Sequence, residues 1–372
     1  MPPTLTWDLF CRVVDNHGDL GVCWRLARDL GARGHAVRLW CDDASALAWL
    51  APQGAPGVQV LPWAAAEAAE PGAVVVEAYA CDPPAGFVAR MAARARAGRA
   101  APAWINLEYL SAEDWVERCH GLPSPQAAGP GRGLVKHFFH PGFTPATGGL
   151  LREPGLLARR AAFDRSAWLA ARGIAPRAGE RVVVLFCYAH APLPLLWRAL
   201  AGTPTLLLAT PGHAQALVAR QPPPAGVRVH ALPWLAQDDF DALLWSADLN
   251  LVRGEDSAVR AIWAGAPFVW QFYAQHDGVH AAKLEAYLGR VAAVAPGATT
   301  PALRAWWRAW NALPPIAAAP APALPPAALW RSACVAWCTH LAAQPDLTTQ
   351  LLAALAARAP ASPPAAPRPA SG

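Results

Sequence analysis

The feature that most constrains this chain is an alternation, run through twice, of short apolar stretches with amphipathic ones. Residues 7–14, 35–41, 73–79 and 103–109 read as strands, with helical patterns at 22–32 and 87–97 between them. Strands that are apolar throughout need cover on both faces, which a parallel sheet obtains from its crossover helices. A Gly- and Pro-rich interval at 142–155 interrupts the pattern. It then resumes with a helix at 163–172 and strands at 181–188, 205–209, 227–231, 247–252 and 267–271, and helices at 327–340 and 347–358 follow. The expectation is an α/β chain of two Rossmann-like domains, 1–154 and 155–358, the second carrying the terminal helices. The Ala/Pro/Ser tail at 359–372 lacks the apolar bulk to offset its ordering entropy and is expected to be disordered. At 372 residues and 54% apolar composition there is material for two cores.

Charge and cysteine usage exclude several classes of function. The net charge of +5 comes from Arg interleaved with Asp and Glu, without the basic tract that nucleic-acid binding requires. Lys136 and Lys283 are the only lysines, so the Arg, Ala and Pro excess reflects GC-rich coding as much as chemistry. Eight cysteines without a Cys-x-x-Cys pair suit reduced core thiols, and no basic-then-apolar leader opens the sequence, so the expected location is cytoplasmic. The uncharged stretch 309–330 is long enough to cross a bilayer, but its six prolines remove helix donors, and a loop is expected instead. No membrane partner is implied.

Two segments carry candidate chemistry. The first, WDLFCRVVDNHGDLGVCWRLARDL, sets Asp15, Asn16, His17, Gly18, Asp19 and Gly21 between the first strand and the first helix. In open α/β sheets that carboxyl-end turn faces the ligand crevice. A dinucleotide site would show G-x-G-x-x-G; here two acids stand where a pyrophosphate needs donors, although Asp42 ends the second strand where a ribose-binding acid would sit. Two readings stay open: Asp15 organises the turn while Asp19 caps the helix, or the carboxylates meet a cation or remove a proton. His17, taken alone, reads as a turn residue.

The second segment places Arg253-Gly254-Glu255-Asp256-Ser257 after an apolar strand and at the opening of a helix. Helix N-termini bind phosphate through free backbone N–H groups, and Arg253 adds a charge-assisted contact, so a nucleotide diphosphate fits. The plainer alternative is that Asp256 or Ser257 caps the helix and Arg253 pairs with Glu255. Upstream, Gln237 and Phe240 offer an amide and an aromatic face to a base, and Tyr188 ends an apolar strand. No D-x-D metal clamp is present; Asp42-Asp43 and Asp238-Asp239 read as exposed or capping acids. The donor site is therefore expected to be metal-independent and to need no cofactor. Two similar α/β domains with a helical end suggest the GT-B architecture, two facing Rossmann-like domains with the active site in the cleft between them.

In this order, VVDNHGDLGVCWRLARDL, WINLEYLSAEDWVERCHGLPSP, KHFFHPGFT, LFCY and LVRGEDSAVRAIWAGAPFVWQFY closely resemble the bacterial elongation factor P arginine rhamnosyltransferases, over about residues 5–358. The resemblance implies a GT-B enzyme that takes L-rhamnose from dTDP-β-L-rhamnose and inverts the anomeric centre. Its implied acceptor is one arginine of elongation factor P, a modification that supports translation through polyproline stretches. It also implies roles for individual residues: Asp19 as base, Asp15 as a second essential acid and Glu255 as the catalytic glutamate. Asn16, His17, Gly18, Tyr188, Gln237, Phe240, Arg253, Asp256 and Ser257 fall at donor-binding positions. His17 departs from the pattern, which leads one to expect an aromatic such as Phe. The rival readings are a GT-B-like sugar-nucleotide epimerase or hydrolase and a non-enzymatic nucleotide-binding regulator. The acidic turn opposite RGEDS favours catalytic transfer over both.

Overall fold

A computed structural model describes residues 4–14, 17–273, 278–297, 299–314 and 322–358. Asp15, Asn16 and the expected tail at 359–372 lie outside the described residues. The chain opens with β1 (Thr6–Cys11), α1 (Gly18–Ala32), β2 (Ala36–Cys41), α2 (Leu47–Leu50), β3 (Val58–Pro62), β4 (Val74–Ala78), α3 (Ala85–Arg96) and β5 (Ala103–Leu107). Next come α4 (Trp115–Cys119), β6 (Pro123–Pro125), β7 (Val135–Phe139), α5 (Leu156–Ala161) and α6 (Arg165–Ala170). The second half holds β8 (Arg181–Leu185), α7 (Leu193–Leu200), β9 (Thr205–Ala209), α8 (His213–Arg220), β10 (Val227–Ala231), α9 (Gln237–Trp245), β11 (Leu249–Arg253), α10 (Glu255–Ala264) and β12 (Phe268–Gln271). It closes with α11 (Val279–Val294), α12 (Pro301–Trp310), α13 (Ala327–Ala342) and α14 (Leu347–Arg358).

The two sheets repeat one winding. The first runs β3-β2-β1-β4-β5-β7-β6, parallel except for the β6–β7 pair; the second runs β10-β9-β8-β11-β12, parallel throughout. Side-chain alternation gives each central strand two covered faces. In β1, Trp7, Leu9 and Cys11 pack under α1 with Leu20, Cys23, Leu26 and Leu30, while Phe10 points the other way to Val75, Phe87 and Met91. The second core joins the apolar strands β8, β9 and β11 to Trp263, Trp306, Trp310 and Trp337 from the helices.

Several sequence expectations are corrected. The strand expected at 7–14 stops at Cys11, and the helix expected from 22 starts at Gly18. Three strands, β3, β6 and β7, were not anticipated: β3 and β6 are largely solvent-facing, and β7 carries the polar Lys136 and His137. The uncharged stretch 309–330 is helical at both ends, through α12 and α13. Among the described residues no helix is long and apolar enough to cross a membrane. The last helix also changes allegiance: Leu347 and Leu351 of α14 sit in the first domain's core beside Trp7 and Leu30, and Arg33 of the first domain binds Asp346 at 2.8 Å and Thr349 Oγ1 at 2.8 Å. Helix α14 therefore belongs by packing to the first domain, and the chain crosses the cleft a second time.

One buried histidine makes a stability prediction. His140 follows β7, is 4% exposed, and is enclosed by Trp115 edge-on at 5.4 Å and Phe138 at 6.1 Å. Burial, helped by nearby His120, lowers its pKa to about 4. A histidine held below its unfolded value of ~6.5 favours the folded state least in acid, because the unfolded chain gains a proton first. Stability should therefore fall as pH drops from above 6.5 toward 4. Urea unfolding across that range checks this, and His140→Phe should flatten the slope there; an unchanged slope refutes it.

Candidate active site

In each sheet the winding direction reverses beside its central strand, between β1 and β4 and between β8 and β11. Ligand crevices form outside the carboxyl ends of strands at such switch points. The acidic turn follows β1, and RGEDS begins at the last residue of β11, so the topology brings each singled-out segment to the carboxyl edge of its sheet beside the switch point.

Helix α1 takes in Gly18 and Gly21, and its N-cap, His17, makes no side-chain capping bond. Asp19 is thus not the cap; it lies in the first helical turn, 5% exposed, and its Oδ2 accepts the Val14 amide at 2.9 Å. A carboxylate near a helix N-terminus is favoured by the macrodipole as well as by that bond. His17 turns edge-on to Trp49 at 5.4 Å and Trp234 at 6.1 Å. Burial and then the charge of Arg253 lower its pKa, which keeps the ring neutral near pH 7. His17 departs from the aromatic that the pattern leads one to expect, and its ring packs between two tryptophans. Of the adjacent acids, Asp42 holds the Val13 amide at 3.0 Å and organises the turn from below.

On the other side, Gly254 at φ 74° turns the chain from β11 into α10, a left-handed conformation that suits glycine. Neither Asp256 nor Ser257 caps this helix. Ser257 Oγ instead bonds back to the carbonyl of Arg253. The Arg253 guanidinium carbon lies 4.7 Å from the ring centres of both Phe186 and Tyr188, a cation held between two aromatic faces. Tyr188 lies three residues beyond the end of β8, and its amide donates to Gln271 Oε1 at 2.9 Å. Glu255 reaches across the cleft: its Oε2 accepts the Leu110 amide of the first domain at 2.9 Å.

Between the two edges lies a cavity of about 320 Å³, which Gly18, Gly21, Arg253, Glu255, Asp256 and Ser257 all line. Gln237 bridges it, donating from Nε2 to the Gly21 carbonyl at 2.9 Å. Its buried Oε1 has no hydrogen-bond partner among the described residues. Phe240 lies edge-on to Phe186 at 5.5 Å on the same wall. Sequence reasoning missed Trp49 and Trp234, which meet from opposite domains at 4.4 Å over this cavity, and the β9–α8 turn at 210–213. It also missed Arg25. That residue is fully buried in α1 and pairs with Asp256 at 2.7 Å, Asp241 at 3.0 Å and Glu153 at 3.3 Å. Arg260 joins the cluster through Asp241 and Glu153. Burial would push the Glu153 carboxyl up, but the guanidiniums of Arg260 and Arg25 overrule it and hold it well below the usual carboxylate range. For Asp256, burial wins over both guanidiniums and raises the pKa. An arginine spaced at 25 among the apolar positions of α1 was the available signal.

Two facing Rossmann-like domains, a cavity between their switch points and carboxylates at its rim define a GT-B glycosyltransferase. The profile of the family described as "Elongation-Factor P (EF-P) rhamnosyltransferase EarP" matches residues 7–356, and the chain belongs to that family. It is 43% identical over 378 residues to the protein-arginine rhamnosyltransferase of Pseudomonas aeruginosa, covering 93% of this chain and 98% of the relative. Among solved structures it is similar, at TM-score 0.62 and 30% identity, to one described as the structural basis for EarP-mediated arginine glycosylation of translation elongation factor EF-P. That match covers 95% of this chain and 100% of the other. The calicheamicin glycosyltransferase CalG4 matches at TM-score 0.51 and 16% identity, over 96% of this chain and 100% of the other, a likeness of fold alone.

Proposed function

We propose that the chain transfers L-rhamnose from dTDP-β-L-rhamnose to an arginine of elongation factor P, with inversion, and so supports translation through polyproline stretches. The observation that carries this reading is the convergence on one cavity of His17, Gly18 and Gly21, the residues flanking Asp19, from one domain and RGEDS from the other; Asp19 itself does not line that cavity. Family membership supplies the sugar and the acceptor. On the donor side, Arg253 and the N-terminus of α10 meet the diphosphate. The orphaned Gln237 Oε1 suits the ring N–H of thymine, with Phe240 and the Trp49–Trp234 pair as apolar walls. These residues supply the charge that a metal ion provides elsewhere, so full activity is expected in EDTA; loss of turnover that magnesium restores would refute this.

The acceptor sets the timing of the proton. A guanidinium has a pKa of ~13.8 and an ordinary Asp ~3.9, so transfer before reaction is uphill by ~10 units, roughly 13 kcal/mol. Asp19 therefore does not deprotonate the resting arginine. As the nitrogen lone pair bonds to the anomeric carbon, the bond from that carbon to the diphosphate oxygen breaks and its electron pair leaves with dTDP. The N–H then becomes acidic enough for Asp19 to take the proton. Attack opposite the leaving group inverts the centre. Asp15 orients the guanidinium in this scheme, and Glu255, fixed by the Leu110 amide, holds sugar or guanidinium from across the cleft. Mass spectrometry of purified elongation factor P, incubated with the enzyme and dTDP-rhamnose, should show one added deoxyhexose on arginine. Donor turnover without that adduct would favour an epimerase or hydrolase instead.

A further inference from the structure

His17 stands where the two halves of the donor cavity meet. It is the N-cap of α1, is half-buried, and shares the cavity wall with Arg253, Glu255 and Asp256 of the other domain. Its closest ring neighbours are uncharged: Trp49 comes from α2 and Trp234 from the loop between β10 and α9, and neither α2 nor residues 232–236 carry a charge. Among the described residues, the charges that reach the imidazole are Arg253, at the end of β11, and Asp43, in the loop after β2. Other acids on these elements are engaged elsewhere. Asp19 holds the Val14 amide, Asp42 the Val13 amide and Glu255 the Leu110 amide, while Asp256 pairs with Arg25. His213, which opens α8, is the second histidine on the cavity wall.

In the free enzyme these surroundings disfavour a charged ring. The tryptophans withhold water, Arg253 adds a positive charge, and the N-terminus of α1 presents the positive end of its macrodipole. Asp43 offsets them only in part, so the pKa lies below its ordinary value, through burial first and Arg253 second. A sugar nucleotide reverses this balance. Its diphosphate carries about two negative charges, and held by Arg253 and the N-terminus of α10 it outweighs the single charge of the guanidinium. The field at His17 then changes from repelling a proton to attracting one. The indole faces of Trp49 and Trp234 also favour an imidazolium over a neutral ring.

We infer that His17 takes up a proton from solvent when the sugar-nucleotide diphosphate binds, so that an imidazolium joins Arg253 beside the diphosphate and donor affinity is coupled to pH. The inference rests on the donor placement proposed above. Uptake on binding means tighter binding in acid, and dTDP-rhamnose is the suitable probe because its sugar ester removes the terminal phosphate ionisation near pH ~6. Calorimetric titration of the full chain should show affinity tightening about threefold or more from pH ~8 to ~6. At neutral pH the heat should vary with the ionisation enthalpy of the buffer. His17→Phe, which keeps an aromatic between the tryptophans but cannot titrate, should lose both effects, and His213→Gln should keep them. A second readout needs no binding by a variant. The imidazole carbon–hydrogen resonance that His17→Phe removes from the wild-type spectrum should move to the imidazolium position when dTDP-rhamnose is added at neutral pH. An unmoved resonance, or proton uptake that survives His17→Phe or vanishes in His213→Gln alone, would overturn the inference. Wild-type enzyme that does not bind dTDP-rhamnose at any of these pH values sinks the donor reading itself, an outcome distinct from those.

Discussion

Asp19→Asn should lower kcat and kcat/KM together by roughly 10²–10⁴-fold while leaving dTDP-rhamnose affinity within about twofold of wild type. The substitution is nearly isosteric, and the amide oxygen of Asn can still accept the Val14 amide that holds the carboxylate. The helical turn is thus preserved, and what disappears is the basic group. In the proposed scheme the proton is released only as the carbon–nitrogen bond forms, so the lost interaction belongs to the transition state, and kcat should fall with kcat/KM rather than KM rising alone. The donor's predicted contacts at Arg253, Gln237 and Phe240 come from the other domain and are not touched. Rapid-quench turnover with saturating elongation factor P, paired with calorimetric titration of dTDP-rhamnose, separates the possibilities. Near-normal turnover would remove Asp19 from its role as base, and a matching loss of donor affinity would make its role structural.

The large architecture was legible in the sequence because its cause is local. The apolar run 205–209 coincides with β9 residue for residue, since a strand covered on both faces needs uninterrupted apolar character, and 227–231 coincides with the edge strand β10, where apolar and polar residues alternate. What was not legible depends on contacts between distant segments. Glycines 18 and 21 argue against an early helix start, yet α1 begins at Gly18, because its buried face docks against the other domain and its Gly21 carbonyl receives Gln237. The strand β3 presents an exposed face, so its sequence lacks the apolar run that marks the others. Helix α14 has apolar residues on much of its surface, and nothing local says which core receives them. The candidate site shows the same division. RGEDS and the acidic turn stand out because their residue types are unusual after a strand. Trp49, Trp234 and Arg25 look ordinary in sequence and acquire meaning only through partners almost 200 residues or more away.

Arg25→Met should destabilise the protein by about 3–5 kcal/mol and weaken donor binding at the same time. The guanidinium is fully buried, and its removal leaves Asp241, Glu153 and Asp256 facing one another with Arg260 as the remaining deeply buried cation. A buried pair adds little net stability over an apolar replacement of both partners, but breaking one side leaves charge uncompensated in a medium that cannot solvate it. The double variant Arg25→Met/Asp241→Leu should therefore be less unstable than the two single changes summed, by about 1 kcal/mol or more. Urea unfolding measures both quantities, and a single variant within about 1 kcal/mol of wild type would refute the argument. Arg25 belongs to α1 of the first domain, whereas Asp241 and Asp256 belong to α9 and α10 of the second. The cluster thus fixes Asp256 at the donor cavity by the same contacts that fasten the domains. Arg25→Met should lose dTDP-rhamnose affinity where Asp19→Asn keeps it, and that contrast distinguishes a residue that holds the cleft together from one that acts on the proton within it.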